Sequence, residues 1–366
     1  MFDIPIPQFH IPESAAKQYR LHAHYMASIV SQRLAQHPDF ENFMGGNPAR
    51  LLTINHHNHA AFMAEVLDIQ YYQLLPRSLP WVYATYHNQG VPFEYFMVEL
   101  QLWIQVINEV LPTDAAAAIV PVYQWMIQVH PHTVRSAQQH QPTCPTIAEP
   151  YREDQLQLLA LLLRGDYTAA TAQCRELLHG GMSYSTVLNQ LIYPIMVEIG
   201  NRWERGEISV AVEHQTTAMV YGLLSTLYQE QPFTAMTGGR AIVAAVTNEF
   251  HQLGAWMITT HLELEGWDVT LLSRAPCSET LTTAVLEHRP HIVALSVTLI
   301  SNVQFARQRV RELRQVLTDA GLKTQIAIGG QAFLAFPELA KSIEADVLLS
   351  SADELLKWAQ GLEIWA

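Results

Sequence analysis

Three short motifs in the C-terminal third of the chain contain residue types that can bind and surround a metal ion. They are the run Glu249-Phe250-His251-Gln252-Leu253-Gly254, then Ser296-Val297-Thr298, and then Gly329-Gly330. A histidine offers a ring nitrogen to a metal, and a carboxylate two positions away can orient the ring and tune its basicity. Small hydroxyl residues and a glycine pair leave room for a long, thin group between a sheet and a helix.

The elements around these motifs predict where they meet. Apolar runs that suit buried parallel strands alternate with helical segments from residue 238 to residue 366. This pattern predicts a doubly wound, flavodoxin-like α/β domain whose ligand crevice lies at the carboxyl ends of the strands. Each motif directly follows or closes a strand, so all three belong to that edge. The predicted strands are Arg240–Val246, Trp267–Leu272, Ile292–Thr298, Gln325–Ile328 and Val347–Leu349.

Two helical regions precede this domain. Short loops between apolar segments over residues 150–232 predict a four-helix bundle of antiparallel neighbours. Residues 1–140 predict five or six helices around an aromatic interior, with Pro121 expected to kink or shorten one of them. The proline-rich stretch Gln138–Pro150 is the predicted linker. The predicted bundle helices are Asp154–Leu163, Tyr167–Leu178, Ser183–Glu204 and Ser209–Tyr228, and those of the first region include Ser14–Ala35, Phe93–Val110 and Ala115–Val129.

Composition excludes several classes of protein. The chain has 366 residues and a formal net charge of −13, which argues against direct nucleic-acid binding because phosphate recognition needs a basic surface. Its longest apolar runs are far shorter than the ~20 residues of a membrane span, and Met1–His10 does not resemble a signal peptide. Cys144, Cys174 and Cys277 lie far apart, which fits a reducing compartment. We therefore expect a cytoplasmic protein with no membrane association.

Histidine is concentrated in the first region. Eleven of the seventeen histidines come before residue 150, while the same stretch holds six lysines and arginines. Because histidine binds metals and protons, the cluster suggests a cofactor. The alternative is that many of these histidines are surface or capping residues.

The three C-terminal motifs, in this order, resemble the cobalamin-binding domain of methionine synthase and its relatives. Residues 255–295 (41 residues) separate the first motif from the second, and residues 299–328 (30 residues) separate the second from the third, which is the spacing of that family. The resemblance implies that His251 is the lower axial ligand of cobalt and displaces the dimethylbenzimidazole base. The nucleotide tail would then lie in the slot lined by Ser296, Thr298, Gly329 and Gly330.

A fourth pattern, in the bundle, resembles light-sensing members of the cobalamin proteins. Trp203 is followed after nine residues by Glu213-His214, and Glu249 also stands where those members carry glutamate. The resemblance implies adenosylcobalamin, with Trp203 over the upper ligand and Glu213 and His214 near the adenosyl group. In the DNA-binding photoreceptors the residue after the tryptophan is a histidine that captures cobalt in the light. Here that residue is Glu204, so the resemblance does not extend to that ligand.

The first region resembles a different branch, the photocobilins, which join a B12 module to a globin-like helical domain that holds a bilin. A linear tetrapyrrole needs an apolar cleft with aromatic walls and polar groups for its propionates and pyrrole nitrogens. Cys144 in the linker is the only cysteine near enough for covalent attachment, which we do not expect. A helical dimerisation domain and a haem site are the alternatives. The candidate bilin residues are Trp81, Tyr83, Tyr86, His87, Trp125, His130, His132 and Arg135.

The leading hypothesis is therefore an adenosylcobalamin photoreceptor that acts as a regulator and not as an enzyme. We expect a homodimer or higher oligomer that signals to a downstream protein partner. Biliverdin or another bilin is the candidate second chromophore. The enzymatic rival is a corrinoid methyl carrier, which would keep His251 but would not need Trp203, Glu213 and His214. A third hypothesis is a cobalamin sensor without photochemistry.

Overall fold

The computed structural model describes residues 6–142, 149–233, 235–236, 239–272 and 278–362. The chain forms two compact units, each made of two chain segments. The first unit combines Met1–Thr146 with Ile195–His214, and the second combines Ile147–Pro194 with Gln215–Ala366. The domain boundaries expected from the sequence, near residues 140, 150, 232 and 238, remain predictions.

The first unit is all-helical, as predicted. Its long helices pack in pairs, α1 on α3 and both α4 and α5 on α6, around a core that includes Tyr19, Tyr95, Trp103 and Tyr123. The helices of this region are α1 (Glu13–Leu34), α2 (Phe40–Met44), α3 (Ala49–Ile69), α4 (Leu74–Asn88), α5 (Glu94–Val110) and α6 (Thr113–Gln138).

Proline does not shorten helix α6. The helix runs for 26 residues and contains both Pro121 and Pro131. Of the two alternatives for Pro121, shortening was wrong, and a kink stays a prediction. A proline removes only its own N–H bond and the carbonyl contact one turn earlier. The long buried face of α6, which lies against α1, α4 and α5, outweighs that local cost.

Some of the N-terminal histidines are core residues. His56 is fully buried, and its ring bonds Ser31 Oγ at 2.7 Å and Tyr95 Oη at 3.0 Å. His59 Nε2 lies 3.3 Å from Tyr123 Oη. Burial lowers the pKa of both histidines to about 3, so they are neutral members of a hydrogen-bonded core. His56 and the partly buried His59 are therefore neither surface nor capping residues, and the interpretation of many of the other histidines as such stays a prediction.

The helices after residue 150 form four successive segments, as predicted for the bundle. Asp166 caps the second of them by accepting from the Ala169 amide at 3.0 Å. The third helix contains a π-helical stretch, Val187–Ile192, which the sequence pattern did not indicate. The segments are α7 (Arg152–Leu163), α8 (Tyr167–His179), α9 (Tyr184–Thr186) continuing through the π-helical stretch into α10 (Tyr193–Glu204), and α11 (Val210–Gln229).

The C-terminal part of the second unit is a five-stranded parallel sheet, which confirms the predicted flavodoxin-like topology. The strand order is β2-β1-β3-β4-β5, with the order reversing at β1. The central strand β3 is buried along its whole length because helices cover both faces. The strands are β1 (Arg240–Ala245), β2 (Asp268–Leu272), β3 (Ile292–Ser296), β4 (Gln325–Gly329) and β5 (Val347–Leu349), and the helices are α12 (Leu253–Leu264), α13 (Ser278–His288), α14 (Val303–Asp319), α15 (Gln331–Ala335) and α16 (Ala352–Gln360).

The strand register brings the predicted motifs to one edge of the sheet. Ser296, the last residue of β3, pairs with Ala245 of β1 on one side and with Gly329 of β4 on the other. The loop after β1 therefore begins beside Ser296, and it carries Glu249 and His251. Helix α12 begins at Leu253, so His251 lies in the loop between β1 and this helix.

Candidate functional site

A buried carboxylate holds the ring of His251 in the loop after β1. The Oε1 atom of Glu249 accepts from His251 Nδ1 at 2.6 Å and from the His251 backbone amide at 3.0 Å. The Glu249 side chain has no exposed surface, whereas 57% of the His251 side chain is exposed. The carboxylate thus fixes both the tautomer and the orientation of an accessible imidazole.

The other oxygen of Glu249 anchors the pair to the loop after β3. Oε2 accepts from the amides of Thr298 at 2.9 Å and Leu299 at 3.0 Å, and from Asn302 Nδ2 at 3.1 Å. Burial by itself would raise the pKa of Glu249. The hydrogen bonds from His251 and Leu299, together with the charge of His251, outweigh it and lower the pKa to about 2. Glu249 is therefore an ionised hub that joins two strand ends.

This arrangement suits an axial metal ligand. With Nδ1 bonded to Glu249, Nε2 is the ring nitrogen that cobalt would take up, and the charged carboxylate raises its basicity. Within the described ranges, no group of three or more His, Cys, Asp or Glu side chains is placed to hold a metal ion. A single accessible histidine fits a metal whose other ligands come with the cofactor.

The glycine pair is required by the backbone as well as by the predicted slot. A Cβ on Gly329 would lie 2.7 Å from the Leu349 carbonyl oxygen, and one on Gly330 would lie 2.3 Å from the Val297 carbonyl oxygen. Gly330 also has a φ of +112°, a backbone conformation that residues with a side chain rarely adopt. By contrast, a Cβ on Gly254 would make an ordinary 3.6 Å contact with Ser296 Oγ. The glycine pair therefore lets the ends of β3, β4 and β5 approach closely.

Two features of this edge were missed in the sequence. Asn302 is buried and joins the carboxylate of Glu249 to the Asn248 carbonyl oxygen, 3.2 Å from its Nδ2. Its position just before α14, on the edge that carries the other motifs, was the signal that could have identified it. The second feature is a cavity of about 190 Å³ at the carboxyl ends of β1 and β2, lined by Tyr221, Ala245, Gln252, Ala255, Trp256, Leu271 and Leu272. Of these lining residues, only Gln252 was predicted from the sequence to belong to the cofactor site.

The structure brings the predicted nucleotide-slot residues together, and it places the predicted upper-face residues in the other unit. Glu249, His251, Ser296, Thr298 and the glycine pair meet at one sheet edge of the second unit. The exposed Phe250 and the residues Gln252 and Leu253 complete the loop that leads into α12.

Trp203, Glu213 and His214 belong to the first unit. Trp203 is partly buried in the last turn of α10, and its carbonyl oxygen accepts from Gln89 Nε2 at 2.6 Å. Glu213 lies in the first turn of α11 and His214 follows it directly, and Glu213 Oε2 pairs with His214 Nδ1. The two side chains thus form an adjacent acid–imidazole pair.

The candidate bilin residues lie mainly in packed ring contacts of the first unit. Tyr83 is buried, stacks on Phe96 with a centroid distance of 3.7 Å, and bonds His130 Nδ1 at 3.2 Å. His87 stacks on Phe93 at 4.1 Å. Trp125 is buried, Tyr86 contacts Tyr95 and Phe96, and Trp81 is partly exposed, while His132 and Arg135 pair on the surface. Cys144 lies outside the described residues.

Family models agree with the geometry of the second unit. Residues 239–357 match a model described as B12 binding domain, and residues 155–228 match a second model with the same description. The first range contains Glu249, His251 and the slot residues, and the second covers most of the helical segments α7–α11. The chain therefore contains a cobalamin-binding module in which a helical part precedes an α/β part.

Two relatives are regulators from Myxococcus xanthus. The HTH-type transcriptional repressor CarH is 25% identical over 284 residues, which are 78% of this chain and 89% of that protein. The HTH-type transcriptional repressor CarA is 30% identical over 140 residues, which are 38% of this chain and 44% of that protein.

Solved structures similar to this chain include corrinoid proteins. The monomethylamine corrinoid protein of Methanosarcina barkeri is 17% identical, with a TM-score of 0.49, and the match covers 57% of this chain and 98% of that one. A cobalamin-binding protein from Desulfitobacterium hafniense DCB-2 is 19% identical, with a TM-score of 0.30, over 56% of this chain and 95% of that one. No helix in the described ranges combines the length and apolar character needed to cross a bilayer.

Proposed function

We propose that this chain is an adenosylcobalamin-dependent photoreceptor that regulates a partner and is not an enzyme. The observation that carries cobalamin binding is the Glu249–His251 pair, in which a buried carboxylate holds an exposed imidazole at the carboxyl edge of a B12-binding domain. The spacing of Trp203 and Glu213-His214, which resembles that of light-sensing B12 proteins, supports the photoreceptor over a methyl carrier. Similarity to the repressors CarH and CarA supports a regulatory role for this module.

The protein and the cofactor have separate tasks. Bound adenosylcobalamin would supply a Co–C bond that light cleaves. His251 would hold the cofactor from below, and Glu249 would orient the His251 ring. Trp203 would cover the upper ligand, with Glu213 and His214 near the adenosyl group, as the resemblance to light-sensing B12 proteins implies. The methyl-carrier alternative needs the first two residues and not the last three.

The experiment that tests the proposal is an absorption spectrum of the full chain reconstituted with adenosylcobalamin in the dark and then illuminated. We expect a dark spectrum without the tail base on cobalt and a lasting change after green or white light. Methylcobalamin-loaded protein and free adenosylcobalamin under the same light are the controls. A loaded protein whose spectrum stays stable in light would instead support the non-photochemical sensor.

Replacing Trp203 with alanine should weaken adenosylcobalamin more than methylcobalamin. The larger upper group loses an apolar cover, and an aromatic side chain of this size contributes roughly 1.5–3 kcal/mol when buried, so the adenosyl affinity should fall by about tenfold or more. Trp203→Phe keeps a ring and is the matched control, with a smaller effect. Equal losses for both cobalamins would favour the methyl-carrier alternative. Calorimetric titration of each variant with both cofactors measures the ratio.

The output of this photoreceptor would pass to a protein partner through a homo-oligomer. The first 150 residues hold six lysines and arginines and are rich in histidine and aromatic residues, which does not suit a DNA-binding surface. Size measurements of the dark and illuminated protein would show whether its oligomeric state responds to light.

A bilin in the first unit is the second part of the proposal, supported by the concentration of histidine and aromatic residues before residue 150. Because residues 195–214 pack with the N-terminal helices, the test should use the full chain co-expressed with a source of biliverdin. A red-absorbing, photoconvertible band that persists in His251→Ala would support the bilin. A Soret band would indicate haem, and a folded, colourless protein would indicate a dimerisation unit.

A further inference from the structure

The last turn of α10, which carries Trp203, is capped by side chains from the end of α4. The final carbonyl groups of a helix have no partner within the helix and need one from elsewhere. The Trp203 carbonyl oxygen accepts from Gln89 Nε2 at 2.6 Å, in addition to the Gly206 amide at 2.9 Å, and Asn88 Nδ2 donates to the Glu204 carbonyl oxygen at 2.9 Å. All five residues belong to the first unit, so these contacts lie within one compact body.

The turn after α10 lies directly on the same end of α4. Gly206 has a φ of +71°, and a Cβ at this position would lie 2.4 Å from the Asn88 carbonyl oxygen. Only glycine allows the two backbones to approach this closely. Two amide hydrogen bonds and one close backbone contact therefore join the ends of α4 and α10. We call these contacts of Asn88 and Gln89 with Trp203, Glu204 and Gly206 the α4–α10 clamp.

The clamp is also fixed from its other side. Asn47 Nδ2 donates to the Gln89 carbonyl oxygen at 2.7 Å. Gly45 and Gly90 approach so closely that a Cβ on Gly45 would lie 2.1 Å from the Gly90 carbonyl oxygen. The end of α4 thus lies between the loop after α2 and the end of α10. A displacement of Trp203 along its helix would break hydrogen bonds to α4 or pull that end away from the α2 loop.

We propose that Asn88 and Gln89 are positioning residues for Trp203, and that the α4–α10 clamp links the state of the cobalamin upper face to the N-terminal helices. This inference rests on the proposed role of Trp203 over the upper ligand. The link is reciprocal: the clamp sets the ligand preference of Trp203, and binding of the upper ligand changes the stability of the end of α4.

The test uses the full chain and the substitution Gln89→Glu, which keeps the side-chain shape but replaces the donor with a carboxylate that repels the Trp203 carbonyl. Gln70→Glu is the matched control, since Gln70 Nε2 makes a similar bond to the Ile11 carbonyl oxygen at 3.2 Å, away from α10. Asn88→Ala, with Asn108→Ala as its control, repeats the comparison for the second amide, since Asn108 Nδ2 donates to the Ile104 carbonyl oxygen of its own helix at 2.9 Å.

Two measurements are made on each variant: the ratio of adenosylcobalamin to methylcobalamin affinity, and hydrogen exchange of the α4 amides with and without adenosylcobalamin. We expect the clamp variants to lower the ratio by about fivefold, as loss of one or two hydrogen bonds would. Adenosylcobalamin should slow exchange at residues 85–90 in the wild type and in the control variants, but not in Gln89→Glu.

Two results would contradict the proposed role of the α4–α10 clamp. An unchanged ratio and an unchanged exchange response in a folded Gln89→Glu protein would do so, as would a wild-type α4 that does not respond to adenosylcobalamin. The proposed function fails separately if the wild type binds no cobalamin, or if Trp203→Ala leaves the ligand ratio unaltered. In the first case no cobalamin spectrum develops, so the two failures are told apart before any exchange measurement.

Discussion

His251→Ala is expected to have the largest effect on cofactor binding. Loss of the imidazole removes the only protein ligand that we assign to cobalt, so the affinity for adenosylcobalamin should fall by more than the roughly 10- to 100-fold typical of losing an outer partner of a metal ligand. Where the cofactor still binds, its spectrum should be that of cobalamin with its own base on cobalt. Free imidazole added to the variant should restore part of the wild-type spectrum.

Two comparisons make this prediction specific. His288 is exposed at the end of α13, so His288→Ala should leave both affinity and spectrum unchanged. His251→Ala should keep the native fold, because the His251 ring is largely exposed, but it should lower stability, because the buried Glu249 carboxylate loses the ring N–H donor at Oε1. Binding is therefore measured under conditions in which circular dichroism shows the variant to be folded. If His251→Ala bound adenosylcobalamin with the wild-type affinity and spectrum, the assignment of the axial ligand would be wrong.

Glu249→Gln is expected to have the largest effect on stability. The amide that replaces one carboxylate oxygen would face donors from Thr298, Leu299 and Asn302, or else the ring and backbone N–H groups of His251. The folded pKa of about 2, compared with an ordinary value of 4.5, corresponds to about 3 kcal/mol of stability from the ionised group. We expect a loss of that size at pH 7 in urea unfolding of the apoprotein.

The pH dependence has a definite sign. Because the folded pKa of Glu249 is depressed, its contribution is fully present above about pH 4.5 and is lost as pH falls towards 2. The stability difference between wild type and Glu249→Gln should therefore shrink between pH 4.5 and pH 2. Glu109→Gln is the control: its carboxylate pairs with Arg33 at the surface, so its effect should be much smaller. A constant difference across this range would show that the charge of Glu249 is not the cause.

A second readout separates positioning from folding in the same variant. Glu249→Gln should also weaken cobalamin binding by roughly 10- to 100-fold, because the His251 ring loses its orienting carboxylate. This loss should appear at pH 7 in buffers where the variant is still fully folded. Wild-type affinity in the folded variant would assign Glu249 a structural role alone.

Part of the candidate site could be predicted from the sequence and part could not. Ser296, Thr298 and the glycine pair could be placed on one edge from the sequence, since parallel strands share the edge where their carboxyl ends meet. The hydrogen bonds that Glu249 accepts from Thr298 and Asn302 could not be predicted. They join residues about fifty positions apart in the sequence, and whether such residues meet depends on the register of the strands. The π-helical stretch and the continuous helix α6 likewise depend on tertiary packing that outweighs local propensity.

Alternating apolar runs and their spacing determined, from the sequence alone, the parallel α/β fold, the helical regions before it and the position of His251 after the first strand. These features follow from periodicity and from steric rules that act over a few residues. Only the tertiary structure decided that Glu249 is ionised and anchored to a second loop, that His56 is packed in the N-terminal core, and that Trp203 belongs to the same compact unit as the N-terminal helices. Burial, close backbone approach and hydrogen bonds between distant residues arise when the chain has folded, and no short motif encodes them.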